Sequence, residues 1–176
     1  MLPDISLRIE NLIKAMETIV QPAVDPANDL AREQAQLIIG HLKLLNSQWD
    51  MAYLYEMRAL EESVALANAL IAAAEGGSET DTATSALIVV VGDVPEQMPH
   101  TAEAVNHYTA AIGEAIDVLI YACHEDGSQS FREKLHPIML EAGEKQIMRE
   151  RVWFQATGLD PEQDQLPSIQ EMLLNG

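Results

Sequence analysis

The side chains best suited to chemistry lie in one short stretch: His100, Glu103 and His107, at spacings of three and four. Such spacing places all three on one side of a helix, where imidazole nitrogens and a carboxylate can bind zinc, iron or manganese. Glu114, Asp117, Tyr121 and His124 continue the same side. The same residues also compose an ordinary wet stripe on an acidic helix, and that is the favoured reading. His100 adjoins Pro99, at the margin of the expected helix. His100, Glu103 and His107 are therefore the candidate metal ligands. No cofactor motif accompanies them, and no cofactor is expected.

A second candidate is a polar row, Gln34, His41, Gln48, Tyr55 and Glu62, repeating every seven residues. It reads first as the polar edge of a buried stripe, its members bonded to neighbours or water. Its functional alternative is a cleft with His41 and Glu56 as ionisable groups. Other constellations are weaker. A carboxylate-bridged metal pair needs two Glu-x-x-His sets on different helices, and only Glu133–His136 has that spacing, just before Pro137. Cys123 and His124 are adjacent, so on a helix they point about 100° apart, and Cys123 falls on an apolar face. Gly76-Gly77 lacks the lysine of a phosphate loop. Arg149 and Arg151, with Trp153, sit where basic residues complement a helix dipole.

The elements that must position these residues are helical. Leu7, Leu12, Ile13, Met16, Ile19 and Val20 recur at helical spacing behind Asp4 or Ser6 as cap, and Pro22 predicts an end near Gln21. Pro26 to Glu75 then contains no proline and a single glycine, Gly40. Asp25 as cap and Pro26 at the first position predict one unusually long central helix. As one helix it would span about 75 Å, more than neighbours of about 38 Å can cover. It must break near Gly40 or Asn46-Ser47, or pack against another chain. Its expected core face is Ala31, Ala35, Ile38, Leu42, Leu45 and Trp49, continued by Ala52, Leu60, Ala67, Leu70 and Ala74. Leu37, Leu44, Met51, Leu54 and Met57 lie outside that row.

Gly76–Thr84 reads as a polar loop. Ser85–Val91 is β-branched, but with no second strand to pair with, a short helix is the better reading. A helix from about Pro99 to His124 follows, with Ala102, Val105, Thr109, Ile112, Ile116, Leu119 and Cys123 facing inward. Another starts behind Ser128 or Ser130 and continues to Thr157-Gly158, with Pro137 kinking or restarting it. A short tail helix covers Pro167–Leu174. The expected fold is an all-α, mainly antiparallel bundle of four main helices plus the C-terminal one, in a single domain, 1–176.

Composition narrows function by exclusion. Among 176 residues, 28 are acidic and 10 basic, giving a net charge of −18. Such a surface repels phosphate backbones and anionic headgroups, so neither nucleic acid nor membrane is expected as a partner. One cysteine and a charged Met1–Val20 predict a cytoplasmic location. Aromatics are 5% while 48% of residues are hydrophobic, so the packing surfaces are of Ala, Leu, Ile, Val and Met. The reading that follows is a non-enzymatic assembly or interaction protein, a homodimer with a possible further protein partner. The alternative is a bundle, enzymatic or not, holding a small molecule or metal at the His100–His107 face or the His41/Glu56 seam.

Overall fold

The chain is all-α. The computed structural model describes residues 4–175, and among them no strand forms, only an isolated bridge between Gly76 and Gly127. The helices are α1 (Ile5–Ala15, prolonged by a π-helical stretch Met16–Val20 and a last turn Gln21–Ala23), α2 (Asp29–Gln48), α3 (Ala52–Ala73), α4 (Ser78–Gly92), α5 (Ala102–Asp126), α6 (Gln129–Trp153) and α7 (Ile169–Asn175). They gather into two compact units: residues 4–51 with 150–175, and Ala52–Arg149.

The long central helix expected from the sequence is two helices. A turn at Trp49–Met51 separates α2 from α3, with Met51 N–H donating to Gln48 O at 3.0 Å. The interruption follows Asn46-Ser47, two residues of low helix propensity. The Ser47 hydroxyl donates to Leu44 O (2.7 Å), and the Trp49 indole N–H turns to Ser6 Oγ (3.1 Å). The start also moves inward from Pro26. Asp25 accepts from Ala27 N–H in a tight turn, and Asn28 becomes the cap by accepting from Ala31 N–H.

In the first unit α1 and α2 form an antiparallel hairpin. Ser6 meets Trp49, Glu17 meets Lys43 at 2.7 Å, and Gln21 meets Gln36 at 2.8 Å, so numbers rise on one helix as they fall on the other. Asp4 caps α1 through Leu7 N–H, and Pro22 is accommodated in its last turn rather than ending it earlier. Gln48 Nε2 donates to Trp153 O, tying the end of α2 to the end of α6. The buried apolar side chains here are Ile9, Ala35, Ile39, Val152, Trp153 and Ile169. Ile38 and Leu45, expected in the core, are exposed; the inward face of α2 is centred on Ala35 and Ile39 instead. A reciprocal box starts α7: Ser168 N–H donates to Glu171 Oε2, and Glu171 N–H donates to Ser168 Oγ.

The second unit is a helical bundle. The starts of α3 and α5 lie together, Tyr53 Oη donating to Pro99 O (2.9 Å) and Asn106 Nδ2 to Glu56 Oε2 (2.9 Å). Their ends do too, since Ser128 N–H donates to Glu75 O (2.8 Å), so these two helices run parallel. α4 returns antiparallel between them in sequence, and α6 runs antiparallel to α3. Leu60, Ala67, Leu70, Leu87, Ile112, Leu119 and Phe131 fill one continuous core. The inward face of α5 follows the periodicity, with Val105, Ile112, Ile116, Leu119 and Cys123 buried and Ala102 and Thr109 half-buried.

Ser85–Val91 is helical, as expected, but the polar loop before it is not a loop. α4 begins at Ser78 because its first turn is satisfied from outside. Asp126 at the end of α5 accepts from Glu79 N–H (2.9 Å), Thr80 N–H (3.0 Å) and the buried Thr80 hydroxyl (2.7 Å), while its own carbonyl accepts from Gly77 N–H. Hydroxyls of Thr82, Thr84 and Ser85 bond back to carbonyls four residues earlier, so they do not compete with the helix. These bonds hold the Asp126 carboxyl below its usual range, the Thr80 hydroxyl contributing most. The close approach requires glycine: a Cβ on Gly76 would lie 2.9 Å from Gly127 Cα, and one on Gly127 would lie 2.9 Å from Cys123 Cα. Ser128 caps α6, which continues unbroken through Pro137 to Trp153.

Candidate functional site

His100 lies in a bend before Thr101, whose hydroxyl caps α5, so it is not on the helix with Glu103 and His107. The latter two are exposed and flank an open hollow of about 570 Å³ that also takes in Thr101, Asn106 and Tyr108. The His107 and Tyr108 rings meet edge-on at 6.1 Å. Glu114, Asp117, Tyr121 and His124 are all exposed. Among the described residues no three His, Cys, Asp or Glu side chains are grouped to hold a metal ion. Cys123 is fully buried, and burial pushes its thiol up, against a smaller opposing effect from Arg132. That disfavours the thiolate a nucleophile needs. Arg132 itself is engaged with the carbonyls of Cys123 and His124.

The polar row, five residues at a spacing of seven, is divided by the helix break. Gln34, His41 and Gln48 belong to the first unit, Tyr55 and Glu62 to the second, with Glu56. The second half is a packing device. Arg149 on α6 is almost buried, forms an ion pair with Glu62, and places its guanidinium 5.4 Å from the centre of the Tyr55 ring. Arg58 also reaches Glu62, at 3.3 Å. These contacts fix α6 to α3 and leave Glu62 no role as a free base.

The first half has a different surrounding. Leu30, Leu37 and Leu44 alternate with Gln34, His41 and Gln48 at spacings of four and three, so the polar row and a leucine row make one straight seam along α2. Leu30 is 67% exposed and Leu37 53%, while Leu44 and Gln48 are half-buried. Ile38 and Leu45, at 48% and 49%, flank the seam on one side. On the other side Glu33, Gly40 and Ser47 are polar or small. A groove of about 610 Å³ follows this second side, lined mainly by Leu37, Gly40, His41, Leu44, Thr157 and Leu159.

The groove's outer wall is set by an ionic clasp. Gly158 turns the chain with φ 71°, and Leu159 follows, 85% exposed. Arg151 holds Asp160 through two bonds (2.7 and 3.1 Å) and Glu162 through one (2.9 Å). The Arg151 guanidinium, with a smaller contribution from Glu162 N–H, draws the Asp160 carboxyl down to about 2. Sequence reasoning singled out Arg151 but found neither its partners nor Leu159. The Asp160–Pro161–Glu162 turn was the available sign.

Around this unit the balance of apolar surface is unusual. Six apolar side chains of the first unit are buried, and twelve large ones are exposed among the described residues. No helix among the described residues is long and apolar enough to cross a membrane. No family model, curated protein or solved structure matches the chain.

Proposed function

We propose that this is a non-enzymatic assembly protein that works by pairing with a second copy of itself along the outer face of α2. The observation that carries the reading is the exposed seam Leu30–Gln34–Leu37–His41, an alternating row of the kind that helices bury against one another. Scattered apolar residues need no partner, but a straight row flanked by Ile38 and Leu45 is a contiguous patch. A second copy is the occupant that suits the charge. The chain is strongly acidic, yet α2 is neutral, with Asp29 and Glu33 balanced by Arg32 and Lys43.

Sedimentation equilibrium on the full chain tests this. The unmodified protein should be a dimer at micromolar concentration. Leu37→Glu, at an exposed position that leaves the fold intact, should weaken association by on the order of 100-fold, because two carboxylates per dimer would be buried unpaired. Unchanged helical circular dichroism controls for folding. A monomeric unmodified protein at high micromolar concentration would refute the proposal. Leu44 and Met51 are poorer probes, since both are half-buried within their own chain.

A further inference from the structure

This inference rests on the pairing proposed above and gives it a geometry. We infer that the two copies of α2 lie antiparallel about a twofold axis passing beside Leu37 and Ile38. The accessible part of the seam comes first. It begins at Leu30 in the second residue of α2 and fades at Leu44, which is half-buried, and Gln48, whose amide is committed to Trp153 O. Leu45 is the last well-exposed apolar residue. The stretch from Leu30 to Leu45 has its midpoint between Leu37 and Ile38. A twofold axis there sets Leu30 against Leu45 of the second copy, and Leu37 against Ile38 of the second copy. Gln34 then meets His41 of the second copy, so each polar residue of the accessible seam faces a polar one.

The flanks decide the direction. In a parallel pair the two sides of a seam face each other, so Ile38 and Leu45 would meet Glu33, Gly40 and Ser47. That buries a carboxylate against an isoleucine with no cation beside it, and leaves Leu45 over space that Gly40 does not fill. In an antiparallel pair each side faces its own copy. Ile38 and Leu45 then meet apolar surface, and Glu33 stays on the polar side in water. The polar pair adds register. An amide and an imidazole can exchange a hydrogen bond in either tautomer, and the symmetry makes the bond twice. Sliding by one turn would set Gln34 or His41 against a leucine, leaving each without a partner. α1 does not obstruct the approach. It contacts α2 through Gln36 and Lys43, which project away from the seam.

Cysteine cross-linking in the full chain tests the direction. Cys123 is buried and remains as background. In the antiparallel pair Leu37 and its own mate are offset by only about 1.5 Å along the axis, whereas Leu30 and its own mate are about 22 Å apart. A disulfide needs α-carbons within about 7 Å. Under mild oxidant Leu37→Cys should therefore couple to itself at least tenfold faster than Leu30→Cys or Leu45→Cys. A mixture of Leu30→Cys and Leu45→Cys chains, distinguished by mass, should give the mixed disulfide in preference to either self-disulfide. Self-coupling of Leu30→Cys as fast as that of Leu37→Cys overturns the antiparallel arrangement and indicates a parallel one. A sedimenting dimer in which none of these cysteines couples overturns the use of this face. A protein that sediments as a monomer fails at the earlier step, the pairing itself.

Discussion

Replacing Thr80 by Val isolates the junction that starts α4. The two side chains have nearly the same shape, so no cavity opens around a residue that is completely buried. What is lost is the hydroxyl, which donates to Asp126 Oδ1 at 2.7 Å and lies 3.3 Å from Ala122 O. A hydrogen bond to a charged acceptor contributes about 1.5–3 kcal/mol net. The lower end applies to Thr80, because the acceptor keeps its two backbone donors, Glu79 N–H and Thr80 N–H. A loss of about 1.5 kcal/mol should lower the urea midpoint of the second unit by about 1 M at unchanged slope. It should also raise the exchange rate of the Glu79–Asp81 amides. A pH signature separates this from a general packing loss. Asp126 has its carboxyl lowered in the fold, so its stabilisation is complete above the ordinary carboxyl range and declines as pH falls through the lowered value. The Thr80 hydroxyl is the largest cause, so Thr80→Val should show a shallower acid loss below about pH 4, and Thr80→Ser should retain the original slope. Thr80→Val with unchanged midpoint and unchanged acid slope would refute the reasoning.

Three further outcomes follow from the same geometry. Gly127→Ala should cost at least about 2 kcal/mol, since its Cβ meets the Cys123 backbone, whereas Gly40→Ala meets nothing within 4 Å and should stabilise the monomeric chain by about 0.5–1 kcal/mol in thermal unfolding. Arg149→Met should cost about 2 kcal/mol, because Glu62 loses a buried partner but keeps Arg58 and partial access to water; adding Glu62→Gln should recover part of the loss in a double-mutant cycle. The clasp at Asp160 should hold above the ordinary aspartate range and open as pH falls through about 2, read as faster amide exchange over Leu159–Glu162; Asp160→Asn should exchange quickly at every pH.

The sequence by itself determined the all-helical class and several whole elements. Val105, Ile112, Ile116, Leu119 and Cys123 repeat at a helical period over more than four turns, and α5 buries that face. Asp4 and Ser128 announced the starts of α1 and α6, because capping is a contact between residues three apart. Ser85–Val91 was legible as helix from a negative fact: a lone strand has nowhere to send its hydrogen bonds. Of the candidate sites, the solvated side of α5 from Glu103 to His124 was legible in the same way, as a face without an apolar period.

What tertiary structure decided was wherever the deciding partner lies far along the chain. Nothing local in Gly76–Thr84 marks a helix start, since the cap comes from Asp126, more than forty residues on. The polar row from Gln34 to Glu62 has one period in sequence, but Tyr55 and Glu62 are claimed by Arg149, Gln48 is bonded to Trp153 O, and Gln34 and His41 are left exposed. The difference arises at Trp49–Met51. A turn there ends the continuous period, so each helix buries the face that its own unit's neighbours cover. Ile38 and Leu45 are outside for that reason, and periodicity, which assumes an unbroken helix, placed them inside.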